Sequence, residues 1–386
     1  MSTRVLILTA GYGEGHNAAA RALSAACDAL HGPGTARVVD IFELAAPRFN
    51  AISRRAYLAM INGTPRMWSA VYAWADRSSI LPRALWLLGR ETHLLEQIIA
   101  RESPAVICST YPVYAFLLEK LRHAGRLSVP HFNIVTDSIS INSLWWRAAC
   151  AGWFLPNEDS AEVLRRAGVE AARLHVCGFP VTNFFSAHAD EFQPSSLAAG
   201  AAPRVLYIIN SGTRGAAETA RRLLAETDWE ITCAVGRDES LRRQLVRVTA
   251  GRGQAANILG WTDQIPRLLM THHVVVSKAG GATTQEAIAG RCPMVVNQIV
   301  PGQEEGNYEL LRRYGAGARA ETPDAVIATL HHAFADRGWV WHRWREALAP
   351  LARPDAARDT AARVLAHPNR IDEPVPLPLR LAAATA

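Results

Sequence analysis

The sequence predicts an α/β fold in which two doubly wound domains, each built on a parallel sheet, face a cleft. Short apolar runs alternate with helical patterns along most of the chain. The alternation stops at residues 187–203, which are small, polar and Pro-containing as linkers are, and it restarts after them. Strands that alternate with helices are typical of parallel sheets covered by helices. Because such sheets bind ligands at the carboxyl ends of their strands, both domains should direct their loops into the cleft.

The predicted elements follow this alternation along the chain. In the first half, periodicity predicts strands at 5–9, 37–42, 105–110, 131–137, 152–155 and 174–178, and helices at 16–30, 91–101 and 112–123. In the second half it predicts strands at 204–209, 231–235, 257–259, 274–277 and 294–297, and helices at 215–226, 239–248, 283–289 and 305–314. We therefore expect a first domain at 1–186, a linker at 187–203, a second domain at 204–338, helices at 339–371 that pack back toward the first domain, and a loose tail at 372–386.

The composition excludes several classes of protein. The 386 residues, 49% hydrophobic and 20% charged, suffice for two or three globular domains and are unlike a disordered chain. The longest uncharged run, 103–118, has 16 residues and two prolines, so we expect no membrane-spanning helix. The glycine-rich turn after the first apolar run is unlike a signal peptide. Six scattered cysteines without a C-x-x-C pair predict neither disulfides nor a zinc site, which favours the cytoplasm.

Residues 48–90 hold the excess positive charge of the chain. This segment has seven arginines and one acidic residue, a net charge of +6 that equals the charge of the whole chain. Aromatic and aliphatic residues lie between the arginines, a pattern that favours an anionic membrane surface as the partner. An ordinary Arg-rich surface is the second interpretation, and single-stranded nucleic acid is the least favoured. Under the first interpretation, acceptor and membrane contacts include Arg54, Arg55, Tyr57, Arg66 and Trp68, and nucleic acid is not a partner.

A glycine-rich turn, Gly11-Tyr-Gly-Glu-Gly-His16, joins the first predicted strand to the first helix. Glycine lets the backbone approach a ligand closely, and a helix start offers unpaired N–H groups to an anion. The spacing matches neither the dinucleotide-binding fingerprint nor a P-loop. A histidine at a helix N-terminus has a lowered pKa and stays neutral, as a general base must. We predict that Gly13 and Gly15 contact the ligand and that His16 is the base, a structural histidine being the alternative.

The loop after strand 204–209 is the equivalent turn of the second domain. Its sequence, 210–215, begins with Asn-Ser-Gly-Thr and is suited to a diphosphate, although many strand–helix turns look alike. The ligand-binding residues predicted here are Asn210, Ser211, Gly212, Thr213 and, after the next strand, Gly236.

The most specific motif spans residues 277–307. A strand delivers Lys278 to the cleft, and Gly280 and Gly281 expose amides at a helix start, a cradle for phosphate oxygens. Glu286 lies about one turn into that helix, where a carboxylate can accept two sugar hydroxyls. A plain glycine-rich turn beside surface polar residues is the alternative. The residues predicted to bind phosphate oxygens and sugar hydroxyls are Lys278, Gly280, Gly281, Ala282, Thr283, Thr284, Glu286, Gln303, Glu304 and Asn307.

The chain resembles the bacterial and plant diacylglycerol glycosyltransferases, a family that includes monogalactosyldiacylglycerol synthase and processive diglucosyldiacylglycerol synthase. The resemblance covers nearly the whole chain and is carried by the His16 loop, Thr136-Asp137 with Trp145 downstream, the Gly-Phe-Pro at 178–180, Gly260-Trp261 and the 278–307 stretch. The lipid-II-forming N-acetylglucosaminyltransferase of peptidoglycan synthesis is similar at a greater distance. The resemblance implies the glycosyltransferase B fold of two Rossmann-like domains, a UDP-sugar donor in the C-terminal domain, a membrane acceptor at the N-terminal domain, and a cytoplasmic protein on the inner leaflet of the cell membrane.

The resemblance also implies roles for single residues. Glu286 should hold the ribose hydroxyls of UDP, and Gln303 and Glu304 the donor sugar. Gly260 and Trp261 should lie near the uracil, and residues 278–284 near the phosphates. Asn142, three residues before Trp145, stands where family members carry a histidine, and both are expected near the acceptor. Asparagine still hydrogen-bonds hydroxyls, so this departure puts specificity rather than activity in doubt.

The implied reaction is a single inverting displacement that moves galactose or glucose from a UDP-sugar to the hydroxyl of diacylglycerol or a related lipid. His16 is predicted to take the acceptor proton, with Asp137 either orienting it or acting as the base itself. Backbone amides and Lys278 would stabilise the leaving diphosphate. The sequence has no Asp-x-Asp, so we expect no metal and no other cofactor.

Several alternatives stay open at this point. The acceptor could be soluble, of the peptidoglycan type or another lipid, and a nucleotide-sugar epimerase shares the fold. A nucleotide-sugar-binding protein without catalysis is a further alternative, since Asn142 departs from the family pattern. The hexose, the number of sugars added and the oligomeric state do not follow from the residues.

Overall fold

The computed structural model describes residues 4–367 apart from 79, 211–214, 250–255 and 303. The side chains at 49, 57, 58, 61–63, 65, 66, 68, 69, 75, 82 and 83 also lie outside the described part. Within it, the chain forms two six-stranded parallel sheets flanked by helices, so the predicted α/β class with two doubly wound domains is confirmed. None of the described helices combines the length and hydrophobicity that crossing a bilayer requires.

The first sheet uses the first half of the chain. Its strands are β1 (Val5–Leu8), β2 (Ala36–Val39), β3 (Val106–Ser109), β4 (His131–Ile134), β5 (Gly152–Leu155) and β6 (Leu174–Val176). They lie side by side in the order β2-β1-β3-β4-β5-β6. The second sheet contains β7 (Arg204–Ile208), β8 (Glu230–Ala234), β9 (Ala256–Leu259), β10 (Val274–Lys278), β11 (Met294–Gln298) and β12 (Gly317–Arg319). Its order is β12-β11-β10-β7-β8-β9.

The helices connect these strands and cover the sheets. In the first half they are α1 (Glu14–His31), α2 (Ile41–Ala45), α3 (Pro47–Gly63), α4 (Pro65–Arg77), α5 (Ile80–Leu85), α6 (Gly89–Glu102), α7 (Val113–His123), α8 (Glu158–Arg166) and α9 (Phe184–Ala187). In the second half they are α10 (Ala216–Ala225), α11 (Glu239–Val248), α12 (Ile265–Thr271), α13 (Gly281–Ala289), α14 (Glu305–Tyr314), α15 (Pro323–Leu348) and α16 (Ala356–Ala366).

Each sheet separates two apolar layers. Alternate residues of β1 point to opposite faces, so Val5 and Ile7 pack beneath α1 and α16 while Leu6 and Leu8 pack beneath α6 and α7. All four side chains of β1 are fully buried, as expected for a strand covered on both faces. This packing fixes the carboxyl end of β1, and with it the start of α1, at the edge where the two sheets meet.

The C-terminal helices join the two halves. A break at 335–338 divides α15, and there Gly338 adopts φ +79°, a conformation that favours glycine. A Cβ at this position would lie 2.5 Å from Cδ1 of Leu197. After the break, α16 packs on α1 and adds Ala361 and Val364 to the core of the first sheet.

Some element boundaries differ from the periodicity. The strand predicted at 37–42 ends at Val39, because the Asp40 side chain accepts the Glu43 N–H (3.0 Å) and caps α2. The basic segment is helical and forms α3, α4 and α5 between β2 and β3. The short elements α8, α12 and β12 were not predicted, and they are largely held by packing on their neighbours.

Candidate active site

A cleft of about 1130 Å³ separates the two sheets at the carboxyl ends of their strands. One wall is the start of α1, including Glu14, Ala18 and Arg21. The opposite wall combines loops after the strands of the second sheet with the start of α13. Its lining includes the predicted residues Asn210, Gly236, Gly260, Trp261, Ala282, Thr283 and Glu286. The motif residues of the second half therefore surround one space.

Two helix N-termini converge at the bottom of this cleft. A Cβ at Gly15, in the first turn of α1, would lie 3.7 Å from the backbone N of Ala282 in the first turn of α13. A Cβ at Gly281 would lie 3.3 Å from the carbonyl oxygen of Thr136. The first-turn amides of a helix have no intrahelical acceptor, and each N-terminus carries partial positive charge. Two such ends facing one space make a site suited to an anion with several oxygens.

Glu286 lies in the wall beside these amides. Burial raises its pKa to about 7, with Glu14 adding to the rise and Arg21 opposing it. Arg21 and Glu14 pair with one another on the exposed face of α1 across the cleft. The site therefore combines backbone amides that can bind phosphate oxygens with a carboxyl group that is only partly ionised near pH 7.

The rim of the cleft presents an exposed aromatic ring. Trp261 is 69% exposed although it lines the cleft, which is unusual for tryptophan in a folded chain. Gly236 adopts φ +61° in the neighbouring loop, and a Cβ at Gly260 would lie 3.6 Å from the Gly236 carbonyl oxygen. Asn210 donates to Oγ of Ser277 (3.1 Å), which holds the loop after β7 against β10.

His16 is buried behind the glycine-rich turn, with 8% of the residue exposed. Burial lowers the pKa of His16 to about 4, an effect that the Thr110 backbone partly opposes. Its Nδ1 is 3.0 Å from Oγ1 of Thr136. Of the two roles predicted for Asp137, orienting this ring does not fit the structure, since Nδ1 faces the Thr136 hydroxyl; the other role, acting as the base, stays a prediction. The ring also packs edge-on against Tyr111.

Asp137 is the second titratable group at this end of the first sheet. Burial raises the pKa of Asp137 to about 6, while the hydrogen bond from Trp145 opposes the rise. The indole Nε1 of Trp145 donates to Oδ2 of Asp137 at 2.8 Å. The residue remains partly accessible, unlike His16. Burial thus shifts the pKa values of His16 and Asp137 in opposite directions, and the two residues are connected through Thr136, which contacts His16 and precedes Asp137.

Comparison with known proteins agrees with this geometry. Residues 16–181 match the family model for Monogalactosyldiacylglycerol (MGDG) synthase. The chain is 24% identical to the processive diacylglycerol beta-glucosyltransferase of Bacillus cytotoxicus over 381 residues, which cover 97% of this chain and 96% of that protein. It is 24% identical to the Bacillus cereus enzyme of the same name, with 98% and 96% covered.

This chain is similar to the diacylglycerol glycosyltransferases over nearly its whole length. Solved structures share its architecture at low identity. An Os79 variant from O. sativa in complex with UDP has a TM-score of 0.62 at 13% identity, covering 94% of this chain and all of that one. A UDP complex of S. aureus MnaA has a TM-score of 0.60 at 13% identity, with 93% and 94% covered. MurG of Acinetobacter baumannii has a TM-score of 0.59 at 12% identity, with 94% and 99% covered. The predicted glycosyltransferase B fold is thus confirmed.

Several predicted contacts differ from expectation. Thr283 lines the cleft, but Thr284 is fully buried and its hydroxyl faces Sδ of Met294 at 3.8 Å, because successive helical residues point about 100° apart. Asn307 is also buried, and its Nδ2 donates to the Ala279 carbonyl (2.9 Å), so it holds the loop before α13 rather than facing the cleft.

Lys278 and Glu304 form an ion pair instead of pointing separately at a ligand. Nζ of Lys278 is 2.6 Å from Oε1 of Glu304, and Oε2 of Glu304 accepts the Val300 N–H at 3.0 Å. Glu304 is 5% exposed, so both carboxylate oxygens are used inside the protein. Gly280 lies alongside, since a Cβ there would be 3.7 Å from Oε1 of Glu304. The pair brings the ammonium group next to the start of α13.

Two residues expected at the acceptor are structural. Trp145 is fully buried, and its carbonyl accepts bonds from Trp153 and Asn133. Asn142 is 7% exposed and its Oδ1 accepts the Leu144 N–H (3.1 Å), which caps the short helix that carries Trp145. Both contribute to the site through Asp137 rather than by facing the cleft. The predicted ligand residues Ser211, Gly212, Thr213 and Gln303 lie outside the described residues.

The basic segment contributes to the site and to the surface. The Arg54 guanidinium packs on the glycine-rich turn, where a Cβ at Gly11 would lie 2.9 Å from its Cζ. Arg54 therefore lies at the site, whereas Arg55 is exposed. The backbones of Tyr57, Arg66 and Trp68 belong to α3 and α4, and their side chains lie outside the described part.

Sequence reasoning missed three contributors. Thr136 was quoted only as part of a motif, yet its hydroxyl holds His16. Tyr111 follows β3 as His16 follows β1, and that position after a parallel strand was a usable signal. Arg21 lies two helical turns after Glu14, so the sequence places both on one face of α1.

Proposed function

We propose that this chain is an inverting, UDP-sugar-dependent hexosyltransferase that moves galactose or glucose to the hydroxyl of diacylglycerol or a related membrane lipid. The observation that carries the proposal is the convergence of the α1 and α13 N-termini beside Glu286, within a cleft between two Rossmann-like domains. The family model and the curated relatives support the same class of reaction and acceptor.

The donor nucleotide would span the cleft from its rim to its base. The exposed face of Trp261, beside Gly260, suits stacking on uracil, and Glu286 is placed to accept the ribose hydroxyls. The amides at the start of α13 would bind the diphosphate. Lys278 would add positive charge there when its pairing with Glu304 is shared with a phosphate. No metal is part of this proposal, because amides, helix dipoles and an ammonium group can stabilise the leaving diphosphate.

Asp137 is the better candidate for the acceptor's base. A general base works best when its pKa lies near the operating pH. The pKa of Asp137, about 6, meets this condition, whereas the pKa of His16, about 4, makes its imidazole a weak proton acceptor. Asp137 is also the more accessible of the two. His16 would then hold Thr136, the residue before the base, in place.

A basic and apolar face formed by α3 to α5 would bring the enzyme to its acceptor. On α4 the residues Met67, Val71, Trp74 and Arg77, three or four apart, are all exposed. Ile52 and Arg55 on α3 and Leu87 after α5 extend this face. Exposed apolar residues flanked by arginines fit the interface of an anionic membrane. The six cysteines are all free and buried, which suits a reducing compartment and supports a cytoplasmic, peripheral location.

The decisive experiment measures transfer directly. The purified chain is incubated with UDP-glucose or UDP-galactose and diacylglycerol in mixed micelles containing anionic lipid, and UDP release and glycolipid are quantified with and without EDTA. We expect glycolipid and UDP in equal amounts, unchanged by EDTA. Ceramide, a polyprenyl-linked acceptor and a reaction without acceptor serve as comparisons. Binding of UDP-sugar without UDP release, or formation of an epimeric UDP-sugar, would overturn the proposal.

A further inference from the structure

The turn at residues 136–140 follows β4 of the first domain, but much of its packing comes from the second domain. Ile139 packs into the apolar cluster formed by α13, α14 and β11. Nε2 of Gln285, on α13, donates to Oγ of Ser138 at 2.9 Å in a buried contact. Asp137, the proposed base, immediately precedes these two residues. A first-domain catalytic group is therefore attached to a segment that is seated in the donor-binding domain.

The backbone of this turn packs directly against Gly306, in the first turn of α14. A Cβ at this position would lie 1.8 Å from the carbonyl oxygen of Ser138 and 2.4 Å from the backbone N of Ser140. Those atoms belong to backbone and cannot rotate away, so only glycine allows the observed approach. Gly306 has ordinary helical geometry, and the reason for glycine here is space rather than its φ angle.

The seated turn holds a strained backbone. Ile139 adopts φ +55°, a left-handed conformation that is rare and strained for β-branched residues. Its N–H donates to Oγ of Ser160 at 3.3 Å, and tight bonds run from Ser140 N to Ser138 O (2.6 Å) and from Ile141 N to Ile139 O (3.0 Å). Strain of this kind persists only where surrounding contacts over-determine the conformation. Here those contacts include groups of the second domain.

We propose that Ser138 and Ile139, seated against Gly306 and Gln285, are positioning residues that set the orientation of the Asp137 carboxylate only when the two domains are closed. The inference rests on the proposed function of Asp137. It deepens that function, because it makes alignment of the acceptor's base depend on the donor-binding domain. Closing around the donor would seat the turn, and the open enzyme would hold Asp137 loosely, which disfavours reaction with water.

The test is Gly306→Ala, with Gly89→Ala as the matched control, since a Cβ at Gly89 meets no atom within 4 Å. We expect kcat of Gly306→Ala to fall by about 100-fold, as misplacement of a catalytic group by about 1 Å does. The Kd for UDP should stay within about threefold, because the nucleotide contacts proposed above are untouched. Hydrogen exchange of the amides of 139–141 should accelerate in Gly306→Ala, while Gly89→Ala should match the wild type in all three measurements.

A second pair of variants covers the case in which Gly306→Ala fails to fold. Gln285→Met keeps the side-chain volume but removes the bond to Ser138, and Ile139→Gly removes both the apolar anchor and the strain. Each should lower kcat more than tenfold with UDP affinity retained. Faster exchange at 139–141 with unchanged kcat would overturn the positioning role. If the amides of 139–141 are protected in the wild-type chain but that chain forms no glycolipid, the proposed function is disproved while the packing of the turn against the second domain is not.

Discussion

At the scale of single residues, we expect the Glu286 carboxylate to favour nucleotide binding and to lower the stability of the folded chain. The carboxylate is buried in the cleft wall and its pKa is raised to about 7, so ionisation is disfavoured in the folded chain relative to the unfolded one. A group whose folded pKa lies above its unfolded value weakens folding as pH rises through that interval. A ligand with hydroxyl donors would compensate for this by hydrogen bonding to the charged form.

We expect Glu286→Gln to bind UDP at least tenfold more weakly and to fold more stably by roughly 1–3 kcal/mol at pH 7.5. The stability gain should vanish below pH 4.5, where the unfolded carboxyl also holds its proton. Calorimetric titration with UDP and urea unfolding at both pH values measure the two effects. Glu43→Gln, on the exposed surface of α2, is the control and should change neither. Unchanged UDP affinity in Glu286→Gln would remove the ribose contact.

Asp137 and His16 differ in the pH at which each loses its proton. Activity that needs a deprotonated group falls by about tenfold per pH unit below the pKa of that group. We expect kcat at saturating donor to decline below about pH 6, the pKa of Asp137. Saturation matters because it keeps Glu286 covered by the nucleotide.

The matching variant is Asp137→Asn, which should lower kcat at least 100-fold with UDP affinity retained, within the usual range for a general base. Initial rates between pH 3.5 and 8 provide the profile. If kcat instead declined near pH 4, and this decline disappeared in His16→Asn, the base would be His16, as the sequence analysis predicted.

At the scale of elements, α4 exposes large apolar side chains to solvent, whereas an ordinary surface helix buries them. Its apolar residues Met67, Val71 and Trp74 are exposed, with Trp74 at 58%, while Asp76 accepts the backbone N–H of Ser143 at 2.6 Å and ties the end of α4 to the first domain. Such an exposed apolar stripe, on a helix that is anchored at one end, fits the proposed contact with a membrane surface.

Reversing charge on this face should weaken membrane binding. We expect the double variant Arg55→Glu, Arg77→Glu to bind vesicles containing phosphatidylglycerol more than tenfold more weakly than the wild type. Binding of the wild type to these vesicles should also weaken as salt is added. The control, Arg243→Glu with Arg247→Glu on α11, makes the same change in net charge on another exposed helix. Co-sedimentation with vesicles measures both. Equal loss in the two double variants would mean that only net charge matters and that the face has no specific role.

At the scale of the whole molecule, buried histidines tie stability to pH. Burial lowers the pKa of His16, His272 and His273 to about 4 and that of His131 to about 3. Each binds a proton in the unfolded chain at a pH where the folded chain does not, so stability rises with pH between about 4 and 6.5. Asp137 and Glu286 act in the opposite direction, but the histidines outnumber them.

We therefore expect the free energy of unfolding to be highest near pH 7.5 and to fall steadily between pH 6.5 and pH 4.5. Urea unfolding followed by circular dichroism at closely spaced pH values measures this, and UDP-free protein should be used so that binding does not contribute. His273→Gln, which removes one of the shifted groups, should flatten the slope in that interval. A free energy of unfolding that did not change between pH 7.5 and pH 4.5 would contradict the account.

The sequence by itself determined the α/β class with two doubly wound halves, and seven of the site residues predicted from it line the cleft. These follow from local physics: buried strands read as apolar runs, helix starts read as glycine turns, and parallel strands place their carboxyl ends together. The same logic predicted the site at Glu286, and the family resemblance added Trp261; both residues line the cleft.

Only the tertiary structure decided which residues that are distant in the sequence come into contact. That Thr136 rather than Asp137 holds His16, that Lys278 pairs with Glu304, and that Gly306 receives the turn from the other domain are contacts between segments far apart in the chain. Spacing along the sequence carries no information about such distances. Burial, which decides the pKa of both catalytic candidates, likewise arises only when distant segments of the chain pack together.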